Sequence, residues 1–106
     1  MINAKKEFLS NIEKLKVVCA RAYFTDEEGP FLLKKGYTEK ELEIFLNKLD
    51  REYDDGYGTK ELYGIIWCED GIYLTREDYD GQEWWEKHSY PKIPDELQWL
   101  KKKNQV

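Results

Sequence analysis

The sequence predicts an α+β fold: a mainly antiparallel sheet of three to five strands, packed on one side by two helices, with a short helix near the C-terminus. Three observations carry this. Apolar residues recur at helical spacing in two stretches near the N-terminal half. Runs rich in β-branched and aromatic residues at 17–24 and 62–68 read as strands. Asp70-Gly71 and Asp80-Gly81 supply tight turns, which join consecutive strands into a meander over 62–90. Connections this short favour antiparallel pairing.

The first helix is expected over 4–16, because Phe8, Leu9, Ile12 and Leu15 fall on one helical stripe and Asn3 can cap its start. Val17 to Phe24 follows as a strand, Thr25 to Pro30 as a loop, and Phe31-Leu32-Leu33 as a short returning strand. The second helix has the fullest set of markers. Thr38 and Glu41 form a capping box, Tyr37 and Leu42 sit at the positions of a hydrophobic staple, and Leu42, Phe45, Leu46 and Leu49 make the apolar stripe. It is expected to end between Asp50 and Glu52. Leu62 to Cys68 then pairs with Ile72 to Thr75 around a two-residue turn at Asp70-Gly71. That register sets Trp67 opposite Leu74 and Ile65 opposite Arg76, with Tyr63, Ile65, Trp67, Ile72 and Leu74 on one face. Glu83 to Tyr90 is the third strand of the meander. Pro91 and Pro94 stop it, and Asp95 can cap a short helix carrying Leu97 and Leu100.

The 106 residues suit one domain, 1–106, with 101–106 a frayed basic tail. Charged residues make up 37% and no apolar run approaches the roughly 20 residues of a membrane span, so no membrane association is expected. No apolar segment follows the first residues, so the expected location is cytoplasmic. Cys19 and Cys68 lie in apolar runs and read as two buried, free thiols. The net charge of −5 is unevenly spread: residues 1–22 hold five basic side chains against two acidic ones, and residues 50–86 hold three against twelve. An acidic centre repels phosphate backbones and attracts basic surfaces, so direct nucleic-acid binding is disfavoured.

No catalytic constellation is recognisable. His88 is the single histidine, Ser10 lies on the polar side of the first helix, and both thiols have apolar flanks. One histidine and two separated cysteines do not make a zinc site. Asp50, Glu52, Asp54 and Glu61 match positions one, three, five and twelve of a calcium loop, but Asp55 stands where the loop demands glycine and a strand follows instead of a helix. No cofactor is expected.

The aromatic crowding is more informative. Nine Tyr and Trp residues fall between Tyr53 and Tyr90, and adjacent Trp84 and Trp85 must point to opposite faces of a strand. These rings can fill a small core, or part of them can form a protein-binding patch among carboxylates. The stretch Tyr53-Asp54-Asp55-Gly56-Tyr57-Gly58, with Glu61-Leu62, Gly64-Ile65-Ile66-Trp67, Asp70-Gly71, Asp78-Tyr79-Asp80-Gly81, Glu83-Trp84-Trp85-Glu86 and Pro91-Lys92-Ile93-Pro94, resembles a family of small uncharacterised proteins of bacteriophages and mobile elements. The resemblance covers residues 50–97 and implies an accessory protein without transferable catalytic residues.

The expected function is a non-enzymatic acidic protein-binding module that binds or inhibits a host protein with a basic surface. The expected partner-binding residues are Asp54, Asp55, Tyr57, Asp78, Tyr79, Asp80, Glu83 and Trp84. The alternatives are a divalent-cation or small-ligand site at Asp50, Glu52, Asp54 and Glu61, and an assembly protein that oligomerises through a sheet edge.

Overall fold

The computed structural model describes residues 1–54, 58–90 and 95–98, and its fold is α+β. A five-stranded antiparallel sheet is built from β2 (Val17–Phe24), β3 (Phe31–Leu33), β5 (Leu62–Cys68), β6 (Ile72–Tyr79) and β7 (Gln82–Ser89), in the order β3-β2-β5-β6-β7. A separate two-stranded ladder pairs β1 (Ile2–Asn3) with β4 (Glu52–Tyr53). The helices are α1 (Ala4–Asn11), α2 (Glu39–Leu49) and the short α3 (Asp95–Gln98). The two-stranded ladder has no counterpart in the sequence patterns, since two residues cannot display a periodicity.

Helix α1 is shorter than the apolar stripe predicts. Asn3 caps it by accepting from the Lys6 amide, and the helical backbone stops at Asn11, whose side chain bonds back to the Glu7 carbonyl. Ile12 and Leu15 still pack on the core, but from a turn that redirects the chain into β2. The apolar contacts survived while the helix beyond Asn11 did not.

The capping box of α2 is present in full: Thr38 Oγ1 accepts from the Glu41 amide at 3.1 Å and Glu41 Oε1 accepts from the Thr38 amide at 2.9 Å. Tyr37 and Leu42 both pack on the core, and Tyr37 also donates its hydroxyl to the Val17 carbonyl at 2.9 Å. Replacing Thr38 by alanine is expected to lower stability by about 1 kcal/mol. A urea midpoint that does not move would show that the box adds nothing here.

Both long helices lie on one face of the sheet. Phe45 of α2 meets Phe31 at 5.3 Å and Phe8 of α1 at 5.6 Å, and Phe8 in turn meets Trp85 edge-on at 6.1 Å. Alternation along the strands sends Ala20, Ala22, Phe24, Leu62, Ile66, Cys68, Leu74 and Trp85 to this covered face. A row running across the sheet explains the small residues among them. Ala22 is opposite Gly64, Arg76 is opposite Trp85, and the Trp85 indole reaches over Arg76 as far as Gly64. A β-carbon on Gly64 would stand 3.0 Å from that indole and 2.7 Å from the Arg21 carbonyl. Gly64 is required for space, not for an unusual backbone angle.

The β5–β6 hairpin corrects the expected register. Trp67 is opposite Tyr73, Ile66 opposite Leu74 and Ile65 opposite Thr75. The turn uses three residues, Glu69–Gly71, with Asp70 and Gly71 both at positive φ, so the pairing slips by one from the two-residue expectation. A one-residue slip moves a strand's side chains to the other face. Ile72 and Leu74 therefore join the covered face, and Tyr73 and Thr75 join Tyr63, Ile65 and Trp67 on the other. The second turn is as expected, with Asp80 and Gly81 at positive φ between paired Tyr79 and Gln82. The expected stop at Pro91 and Pro94 and the expected cap of the last helix fall outside what the structure describes; Leu97 is exposed. Among the described residues no helix is long and apolar enough to cross a membrane.

Candidate functional site

The face of the sheet away from α1 and α2 is an aromatic platform. Tyr23 of β2 stacks on Tyr63 of β5 at 5.1 Å, nearly parallel. Tyr73 of β6 stacks on His88 of β7 at 4.8 Å, and Tyr90 leans on Tyr73 at 5.2 Å. Between these stacks stand Trp67 and Ile65, both exposed, with Trp67 at 42%. Cross-strand rings of this kind stiffen an open sheet while leaving their faces accessible.

Polar groups are threaded among the rings. The Thr75 hydroxyl donates to Glu77 Oε2 at 2.7 Å and lies 2.9 Å from His88 Nε2. Its one proton goes to Glu77, so the His88 ring must donate from Nε2. The Trp84 indole donates to Glu86 at 2.7 Å. Lys60 lies over the Tyr63 ring at 4.3 Å, donates to the Arg76 carbonyl, and approaches Asp78 at 3.6 Å. Arg21 projects from β2 beside Tyr23.

The expected partner-binding residues are divided by this geometry. Tyr79, 76% exposed, and the half-buried Trp84 belong to the open face, and Asp80 forms the exposed turn beside them. Asp78 is exposed but, by alternation, leaves β6 on the side of Arg76. Asp54 follows β4 and so is tied to the small ladder. Asp55 and Tyr57 lie outside the described residues. Glu83 is corrected outright: it is 4% exposed and belongs to the interior. The aromatics are divided too, with Trp85 and Tyr53 sealed in the core and Trp67, Tyr79 and Tyr90 uncovered.

What holds Glu83 inside is an ionic cluster that the sequence patterns do not announce. Arg76, whose side chain is fully buried, donates to Glu83 at 2.7 Å, to Glu7 at 3.1 Å, to the Tyr53 hydroxyl at 2.9 Å and to the Leu62 carbonyl at 3.3 Å. Glu83 also accepts from the amides of Glu61 and Leu62. Burial alone would weaken the hold of Arg76 on its proton. Glu7, Tyr53 and Glu83 outweigh it and keep the guanidinium above its ordinary pKa. The cluster ties α1, β4, β5, β6 and β7 together at one end of the sheet. Arginine in the middle of an apolar strand pattern was the available signal, since such a residue on the covered face demands partners.

Burial, and then the 2.6 Å bond that its hydroxyl donates to Glu7, push the ionisation of Tyr53 well above the ordinary value of 10.0. An unfolded tyrosine loses its proton near pH 10, so ionisation favours the unfolded chain above that pH. The stability linked to this proton is complete below pH ~10 and falls as pH rises, by about 1.4 kcal/mol per unit for one such group. Urea midpoints measured from pH 8 to 11 are expected to show this fall, and Tyr53→Phe to flatten it. In absorbance titration, at least one of the eight tyrosines should ionise only when the protein unfolds.

Several of the other acids are paired where they stand. Arg51 makes a two-pronged pair with Asp26 at 2.9 and 3.0 Å, bonds Glu27 at 3.0 Å, and lies over the Phe24 ring. Its hydrogen bonds hold the Asp26 carboxyl below the usual range. Asp50 accepts from the Asn3 side chain. The calcium-loop match does not become a site: Glu52 lies in β4, and among the described residues no three His, Cys, Asp or Glu side chains converge to hold a metal. Both cysteines are free; Cys68 is buried as expected, and burial pushes its thiol pKa up, while Cys19 is only half-buried. Cys68 leaves the covered face of the sheet and His88 the open one, so the two do not form a dyad.

No family model matches the chain, and neither a curated protein nor a solved structure matches it.

Proposed function

We propose that this chain is a non-enzymatic protein-binding module that docks a partner with a basic surface on the open face of its sheet. The observation that carries the reading is the one-sidedness of the fold: α1 and α2 share one face, and the other displays Trp67, Ile65 and two stacked aromatic pairs. Exposed Trp and Tyr are the residue types that supply most of the affinity at protein interfaces. The acids Glu77, Asp80 and Glu86 stand at the β6–β7 side of this face, where they would steer a basic partner and speed encounter. Of the residues expected from sequence, Tyr79, Asp80 and Trp84 stay in this reading and Asp78 does not. The resemblance of residues 50–97 to small phage and mobile-element proteins fits an accessory chain that acts by occupying a host protein's surface.

Edge-to-edge assembly is a weaker reading. The outer strand β7 carries inward-facing Glu83 and exposed Glu86 and Lys87, charges that discourage strand addition.

Affinity capture from a bacterial lysate tests the docking reading when three immobilised forms are compared. Wild type and Ile44→Ala, a change on the exposed side of α2, are expected to retain the same protein, and Trp67→Ala to lose it. Retention should weaken from low to moderate salt. Retention that ignores both Trp67→Ala and salt would overturn the proposal.

A further inference from the structure

The charges on the open face are arranged so that the face complements itself. One row of residues crosses all five strands: Leu32, Arg21, Ile65, Thr75 and Glu86. Its cation is on β2 and its anion on β7. Three strand spacings, about 14 Å, separate them, too far for a pair within one chain. Arg21 is exposed and makes no ion pair among the described residues. In the next row Trp67 and Tyr73 stand side by side at the centre of the sheet.

We propose that a second copy of this chain occupies the open face, in a face-to-face dimer whose two-fold axis runs along the strands between β5 and β6. A rotation about that axis brings β2 of one copy over β7 of the other. Arg21 then meets the second copy's Glu86, and Trp67 meets the second copy's Tyr73, each contact occurring twice. Sheets packed face to face cross at about 30° and stand ~10 Å apart, a gap that Arg and Glu side chains extended toward each other can bridge. The four strands that overlap, β2, β5, β6 and β7, hold seven or eight residues each and offer a footprint of roughly 500 Å² per copy. Twice that only reaches the ~1,000 Å² at the lower limit of a specific interface, so a weak, concentration-dependent dimer is the result. The inference rests on the open face being the docking surface. Arg21 of a second copy stands where a basic residue of a partner would, so self-association regulates access to the site and partner binding requires the monomer.

Sedimentation equilibrium over a range of concentrations tests it, with circular dichroism to verify folding. Wild type is expected to shift from 12.8 kDa toward twice that mass. Arg21→Glu and Glu86→Arg should each raise the dimer dissociation constant at least about tenfold, because two-fold symmetry makes each change act twice. The double variant, with the charges exchanged, should restore the dimer. Wild type that stays monomeric, single variants that still dimerise, or a double variant that does not recover would each overturn the dimer. Lysate capture separates the two proposals. Arg21→Glu, which frees the face and replaces a cation on it by an acid, should capture more of the basic partner than wild type. A dimer that responds to the charge exchange in a protein that captures nothing overturns the docking reading alone, and capture by a wild type that never dimerises overturns self-association alone.

Discussion

Arg76→Ala is expected to cost about 3–5 kcal/mol, enough to consume much of the stability of a domain this size. The large effect comes from what the change leaves behind. Glu83 remains fully enclosed with its carboxylate facing no cation, and Glu7 and the Tyr53 hydroxyl lose a donor each. Arg76 also packs under the Trp85 indole at 5.1 Å, so truncation opens a cavity there. Arg76→Lys is expected to recover only part of the loss, since an ammonium cannot reproduce a planar fork that serves four acceptors at once. Urea titration followed by near-ultraviolet circular dichroism measures both. Equal midpoints for wild type and Arg76→Ala would mean that the cluster contributes nothing net.

Gly64→Val is expected to cost about 3 kcal/mol through overpacking. The β-carbon would press on the Arg21 carbonyl, a backbone atom of the neighbouring strand that cannot rotate away, while the Trp85 indole blocks the other side. The strain falls at the centre of the sheet, between β2 and β5. Pairing it with Trp85→Leu discriminates the causes. A smaller ring-free residue relieves the indole contact but not the carbonyl contact, so the double variant should lose less than the two single variants combined. Full additivity would show that the indole and the glycine do not share space.

Much of this fold was legible because its elements carry local markers. Thr38 and Glu41 cap α2 by a bond pattern that depends only on residues three apart, and Asp80-Gly81 closes a turn by its own backbone preference. The bounds of β2 and β5 coincide with the β-branched and aromatic runs, and adjacent Trp84 and Trp85 had to point opposite ways. By itself, then, the sequence determined the fold class, most of the strands, the second helix and the opposite orientation of Trp84 and Trp85, all properties of period and short-range hydrogen bonding.

Tertiary structure decided the rest. The third residue in the β5–β6 turn exchanged the faces of β6, because pairing with β5 and the covering helices, not the turn dipeptide, selects the register. Helix α1 ended at Asn11, and Ile12 and Leu15 reach the core from the turn between it and β2. Glu83 moved from the expected binding surface to the interior because its partners, Arg76 and the amides of Glu61 and Leu62, come from outside its own strand. Charge in a sequence has a position but no neighbour. Which acids remain on the surface, and which rings stay uncovered beside them, is settled only when distant strands are brought side by side.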